Sequence, residues 1–218
     1  LVIETKMGIQ GDTQCFQFPL LPCSAIGKCH DEGVQPRYNF RLYPTAGQRV
    51  ALARAFGCAR VVFNDGLRAR QDANAAGLPY ICDRDLSKRV ITEAKKTPER
   101  AWLGEVSAAV LQQALADLNT AYRNFFASLT GKRKGPKAAP PQFRSKRDNR
   151  QAIRFTRNAR FSITADGRLR LPKIGDVLVR WSRSLPAEPS SVGQGRGWAV
   201  LRLVRRRDEA GPVAGVGR

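Results

Sequence analysis

A single histidine, His30, stands in 218 residues, so acid–base or nucleophilic schemes built on imidazole have almost no material. The five cysteines (Cys15, Cys23, Cys29, Cys58 and Cys82) are odd in number and irregular in spacing. That pattern argues against a disulfide framework and for a reducing cytoplasm. Cys23, Cys29 and His30 are followed by no second ligand pair at zinc-finger spacing, so no metal is assigned to them. Carboxylates are outnumbered: 18 Asp and Glu face 38 Lys and Arg, a net charge of +20. What remains is cation chemistry. Guanidinium and ammonium groups grip phosphates, and rings set between them stack on unpaired bases.

The cations are concentrated. Residues 132–183 hold 16 basic and 3 acidic side chains, while residues 1–33 carry 2 basic and 4 acidic ones. Lys132, Arg133, Lys134 and Lys137 lie in a loop with Gly135 and Pro136. Arg144, Lys146, Arg147 and Arg150 follow, then Arg154 and Arg157 among Phe155, Arg160 and Phe161. These basic side chains are the candidate clamps for RNA or DNA backbone. Such clamps set affinity rather than sequence, and their grip weakens steeply with salt. Phe155 and Phe161 have two readings of equal weight, base stacking or the inside of a sheet. No run approaches the ~20 apolar residues a membrane-spanning helix needs.

Positioning these groups falls to a mixed set of elements. Tyr38, Phe40 and Leu42 alternate with Arg37, Asn39 and Arg41, a half-buried strand. Thr45 and Gln48 have capping-box spacing, and Val50, Leu52, Ala53 and Phe56 predict a helical face that stops at Gly57. A second helix carries Val61, Val62 and Leu67 to near Gly77, so the pair resembles a helix-turn-helix. A third is expected over 85–96. The fourth runs from the Ser107 cap to Gly131. Its stripe of Val110, Leu111, Leu115, Leu118, Ala121, Tyr122, Phe125, Phe126 and Leu129 predicts a bundle core. Gln112, Gln113, Asn119, Arg123 and Asn124 lie on its open side. Short strands are expected over 152–156, 160–163, 168–171 and 177–181, with a hairpin at Asp166-Gly167, which suggests a small barrel or curled sheet.

Four collinear runs then carry a resemblance: RYNFRLYPTAGQRVALARAFGCARVVFN from Arg37, WLGEVSAAVLQQALADLNTAYRNFF from Trp102, GKRKGPKAAPPQFRSKRD from Gly131, and LRLPKIGDVLVR from Leu169. Across residues 34–192 the chain resembles the N-terminal portion of the OrfB/TnpB family of insertion-sequence transposase-associated proteins. The resemblance implies an α+β fold. An oligonucleotide-binding-like β-barrel begins with the first strand, takes an inserted helical recognition domain, and resumes. It also implies DNA and an element-derived guide RNA as partners. Complete members add a RuvC-like nuclease with three acidic metal ligands and a four-cysteine zinc element. Nothing after Val192 resembles that part, so no nuclease activity is expected of this chain, and Mg and Zn belong to the missing half. Gln112 and Thr156 fall where the family approaches the duplex beside its target. An amide or hydroxyl there is suited to reading base edges.

The expected division is an unmatched 1–33, a first barrel strand 34–44, a helical domain 45–130, a basic barrel continuation 131–192 and a tail 193–218. Residues 1–33 read as an over-extended frame, with Val34 as a candidate GTG start. The tail reads as frameshifted or disordered. One synonymous codon choice for Val192–Val204, shifted by one base, encodes a peptide like the family's next barrel hairpin. The competing functions are a regulator of its own element, a nuclease half completed in trans, and an unrelated basic RNA-binding protein, which the four runs disfavour.

Overall fold

A computed structural model describes residues 37–148, 151–183, 185, 189–195 and 198–202. The readings made for residues 1–33 and for Arg150, and the part of the tail after Arg202, lie outside the described residues. The chain divides between Gly33 and Val34, and every described element belongs to the second unit.

Strand alternation starts the fold. β1 (Arg37–Tyr43) turns Phe40 and Leu42 into the core and leaves Asn39, Arg41 and Tyr43 outside. The capping box at its end is complete: the Thr45 N–H donates to Gln48 Oε1 at 3.0 Å, and the Gln48 N–H donates to Thr45 Oγ1 at 3.4 Å. Gln48 Nε2 also donates to the Asp176 carbonyl at 2.9 Å, which fastens the helix start to a later strand.

From this cap, α1 (Ala46–Ala75) runs unbroken for 30 residues. The stop expected at Gly57 is absent. A mid-helix glycine costs only about 1 kcal/mol, and buried residues on both sides of Gly57 (Leu52, Ala55, Cys58, Ala59 and Val62) hold the helix to the core. The inward face also differs from the expected one. Val50 and Ala53 face solvent and Phe56 is half-buried, while small Ala55 and Ala59 face in. The true turn is at Gly77, whose φ is +64°. There the Gly77 N–H reaches the Asn74 carbonyl and the Leu78 N–H reaches the Ala73 carbonyl, a Schellman ending.

α2 (Asp83–Ser87) continues through a wide turn at Lys88–Glu93 and a tight one at Ala94–Lys96, burying Leu86, Val90 and Ile91. Tight turns over Pro98–Glu105 lead to α3 (Ala108–Leu129). α1 and α3 meet closely at Gly66, where a Cβ would stand 3.0 Å from Leu115 and 3.1 Å from Leu118. The stripe on α3 is core only in its first half. Val110, Leu111, Ala114, Leu115 and Leu118 are buried, whereas Phe126 is 48% and Leu129 68% exposed.

β2 (Ile153–Thr156), β3 (Ser162–Ile163), β4 (Leu169–Leu171), β5 (Gly175–Arg180), β6 (Ser191–Gly195) and β7 (Trp198–Arg202) join β1 in one sheet. Its order is β2-β6-β7-β1-β5-β4-β3, antiparallel at every pairing. The helices therefore enter between β1 and β2. β1 is central, with Arg41 opposite Arg180 on β5 and Phe40 opposite Ala199 on β7. The boundary expected at residue 192 falls inside β6, and the paired chain runs on to Arg202 because the β6–β7 hairpin fills the second edge of β1. The β3–β4 hairpin turns at Asp166-Gly167 as expected. Gly167 has φ +69°, and its carbonyl accepts the Trp181 indole N–H at 2.6 Å.

Candidate nucleic-acid interface

The helix end comes first. α3 stops at Leu129, and Gly131, with φ +69°, turns the chain back. The Arg133 N–H donates to the Ala127 carbonyl at 3.1 Å and the Ala138 N–H to Ser128 Oγ at 3.0 Å. The basic loop is thus pinned on the last turn of α3, and Lys132, Arg133, Lys134 and Lys137 all face solvent. From Leu118 to Arg147 there is no acidic residue, so nothing along this stretch of chain offsets its cations.

Further along, the structure separates the predicted clamps. Lys146 and Arg147 are exposed in a turn closed by the Asp148 N–H on the Ser145 carbonyl. Arg144 is held in the fold. Its guanidinium lies 3.8 Å from the Phe63 ring centroid and 3.5 Å from Asp117. Its backbone is bracketed by Asn64, which accepts from the Arg144 N–H at 2.8 Å and donates to the Arg144 carbonyl at 3.1 Å. Arg154 shares the same carboxylate, at 2.7 Å from Asp117. Asp117 thereby occupies two of the candidate clamps. Arg157 is exposed just past β2.

Of the candidate base readers, Gln112 is exposed on α3, and its Nε2 donates to Ser87 Oγ at 2.9 Å. Thr156 ends β2 opposite Ser191, half-buried. Phe155 is fully buried and Phe161 packs on the core, so both rings serve the sheet rather than a base.

One constellation was missed from sequence. Arg41 and Arg180 face each other across β1 and β5, both exposed. Hydrogen bonding from Arg41 first, and then from Arg180, holds the Tyr43 phenol below its ordinary value. Their guanidinium groups place two cations side by side on the outer face of the sheet. The outward alternation of β1 announced Arg41. Nothing in the sequence announced its partner, which lies 139 positions on.

Several acidic groups, by contrast, sit in separate ion pairs. Asp65 pairs with Arg100, Asp83 with Arg70, Glu105 with Arg54, and Asp176 bidentately with Arg170. Hydrogen bonding to Arg170 lowers the Asp176 pKa. Among the described residues no group of three or more His, Cys, Asp or Glu is placed to hold a metal. No described helix is long and apolar enough to cross a membrane.

Residues 34–78 match a family model described as the helix-turn-helix domain of OrfB proteins of the IS605 type. A Streptomyces pristinaespiralis protein named "Putative RNA-guided DNA endonuclease" is 38% identical over 165 residues, covering 73% of this chain and 38% of that protein. An Escherichia coli protein named "Putative RNA-guided DNA endonuclease InsQ" is 33% identical over 148 residues, covering 68% of this chain and 34% of that protein. The chain belongs to the OrfB/TnpB family. It spans a little over a third of the length of these curated relatives. In this OrfB/TnpB member the matched region comprises β1 and α1 and ends at the Gly77 turn, with α2 beyond it. Within the matched residues the structure has one strand and one unbroken helix, so the turn expected at Gly57 is helix.

Proposed function

We propose that this chain is the nucleic-acid-binding part of an OrfB/TnpB-type protein, gripping DNA and a guide RNA without itself supplying the carboxylates that cut. The observation that carries the reading is the acid-free basic segment, exposed as a loop pinned to the end of α3. The Arg41–Arg180 pair supports it from the sheet. Phosphate contacts from Lys132, Arg133, Lys134, Lys137, Lys146 and Arg147 set affinity. Gln112 and Thr156 are proposed as the base readers. We read the sheet as the family's oligonucleotide-binding-like barrel, supported by its antiparallel order and by helices entering after the first strand. Cleavage is not assigned to these residues: the carboxylates of Asp65, Asp83, Glu105, Asp117 and Asp176 each serve a separate ion-pair site.

The test is a gel-shift titration of the purified chain with element-end RNA and duplex DNA at two salt concentrations. Binding that falls steeply with salt supports the reading. Binding that ignores salt, or no binding, rejects it.

A further inference from the structure

α3 carries an apolar stripe that outlasts the core. Beyond Leu118 the same helical face continues through Tyr122 and Phe126 to Leu129, and there it meets solvent. The i,i+4 spacing of Tyr122 and Phe126 places both rings on one side of the helix. They stack at 6.0 Å between centroids with planes 21° apart. Tyr80, from the turn after α1, meets Tyr122 edge-on at 6.4 Å and is 48% exposed.

The rings are held from beneath. Arg70 on α1 is 4% exposed, with its guanidinium 4.5 Å from the Tyr80 centroid and 5.2 Å from that of Tyr122. Its Nη2 donates to Asp83 at 2.8 Å, while Nε and Nη1 have no hydrogen-bond partner and rely on the ring faces for compensation. A buried cation fixed to a carboxylate locks Tyr80 and Tyr122 in place, so a ligand stacking on them loses little side-chain freedom.

The surroundings name the ligand. The loop tied back to Ala127 and Ser128 brings Lys132, Arg133 and Lys134 to the same end of α3 as these rings, in the stretch that has no acidic residue. Exposed Tyr80 and Phe126 on either side of half-buried Tyr122, flanked by cations, match a single strand, whose bases have free faces and whose backbone is anionic. Folded RNA offers unpaired bases in its loops and bulges, whereas duplex DNA keeps its bases stacked inside.

We propose that Tyr80, Tyr122 and Phe126 form a stacking platform for unpaired RNA bases, with Lys132, Arg133 and Lys134 holding the flanking phosphates. This rests on the nucleic-acid reading above.

The test uses the full chain, wild type and Phe126→Ala, with labelled oligouridine, the same-length single-stranded DNA and a blunt DNA duplex, read by anisotropy at two salts. Phe126 is exposed, so its loss leaves the fold intact, and Phe126→Trp serves as the conservative control. Phe126→Ala is expected to weaken oligouridine binding about tenfold, leaving duplex affinity and the salt slope unchanged, while Phe126→Trp keeps wild-type affinity. A fluorescent purine analogue in the RNA is quenched by wild type and not by Phe126→Ala. Unchanged oligouridine affinity in Phe126→Ala, or an equal loss for duplex, overturns the platform. Equal affinity for single-stranded DNA overturns the assignment to RNA. A dimer in sedimentation that Phe126→Ala dissolves gives this face to a second copy and also overturns it. Wild type that binds duplex but not oligouridine removes the platform and spares the broader reading. Wild type that binds neither removes both.

Discussion

Asp117 shows how one carboxylate restrains two cations. It pairs with Arg144, which is stacked on Phe63, and with Arg154 on β2. Asp117→Ala removes two part-exposed ion pairs, each worth up to about 1 kcal/mol. Stability in urea denaturation is expected to fall by about 1 kcal/mol, while affinity for duplex DNA rises in a gel shift as two guanidinium groups are released. Lower affinity would show that Asp117 positions those arginines for binding. Tyr43 reports the opposite kind of field. Its phenol is lowered by Arg41 and Arg180, while burial raises Tyr80 and Tyr122. An alkaline titration followed by ultraviolet absorbance should ionise Tyr43 before those two, and Arg41→Gln should move Tyr43 back up. A depressed phenol is protonated in both the folded and unfolded states at neutral pH. Its stabilising share therefore appears only as pH rises through the folded value toward about 10. Residue roles were only partly legible in the sequence. The exposed lysines of the loop follow from local composition. The Arg144–Phe63 stack and the Arg41–Arg180 pair join residues far apart in the chain, and no local pattern encodes them.

At the scale of elements, the sequence conveyed the strands up to residue 181, because period-two alternation and an Asp-Gly turn are local signals, whereas the β6–β7 hairpin runs into residues read as tail. β1, β2, β4 and β5 lie where alternation predicts. Helix continuity was not local. Gly57 looks like a stop, yet tertiary packing on either side carries α1 through it. Since a Cβ at Gly57 would meet nothing within 4 Å, Gly57→Ala is expected to stabilise the protein by about 0.5–1 kcal/mol, read as a raised Tm. A loss of stability would restore the turn there. Gly77 behaves oppositely: its positive φ makes Gly77→Ala destabilising by about 1 kcal/mol. The α1 face was legible in part: Leu52 is buried and Phe56 packs on the core, whereas Val50 and Ala53 face solvent and the small Ala55 and Ala59 face in where helices pack closely.

Across the whole molecule, the net charge of +20 predicts the salt response. Replacing Lys132, Arg133 and Lys134 with alanine should weaken RNA and duplex DNA binding alike and flatten the log–log salt slope by about two to three. An unchanged slope would move the footprint elsewhere. The mixed strand–helix–strand order was visible from composition and periodicity, whereas the seven-strand order was not, since strand neighbours are chosen by packing across the chain. The central position of β1 has a further consequence, in time rather than space. β1 is the first of the described strands to leave the ribosome, and its two neighbours, β5 and β7, are among the last. Helices α1 and α3 bring their own local contacts and can form early, but β1 must wait for more than a hundred residues of synthesis before either edge is covered. Such long-range pairing is intrinsically slow. During that wait the nascent chain exposes a short, alternating strand to every other growing copy, and the charge of Arg41 on its outer face helps keep those strands apart.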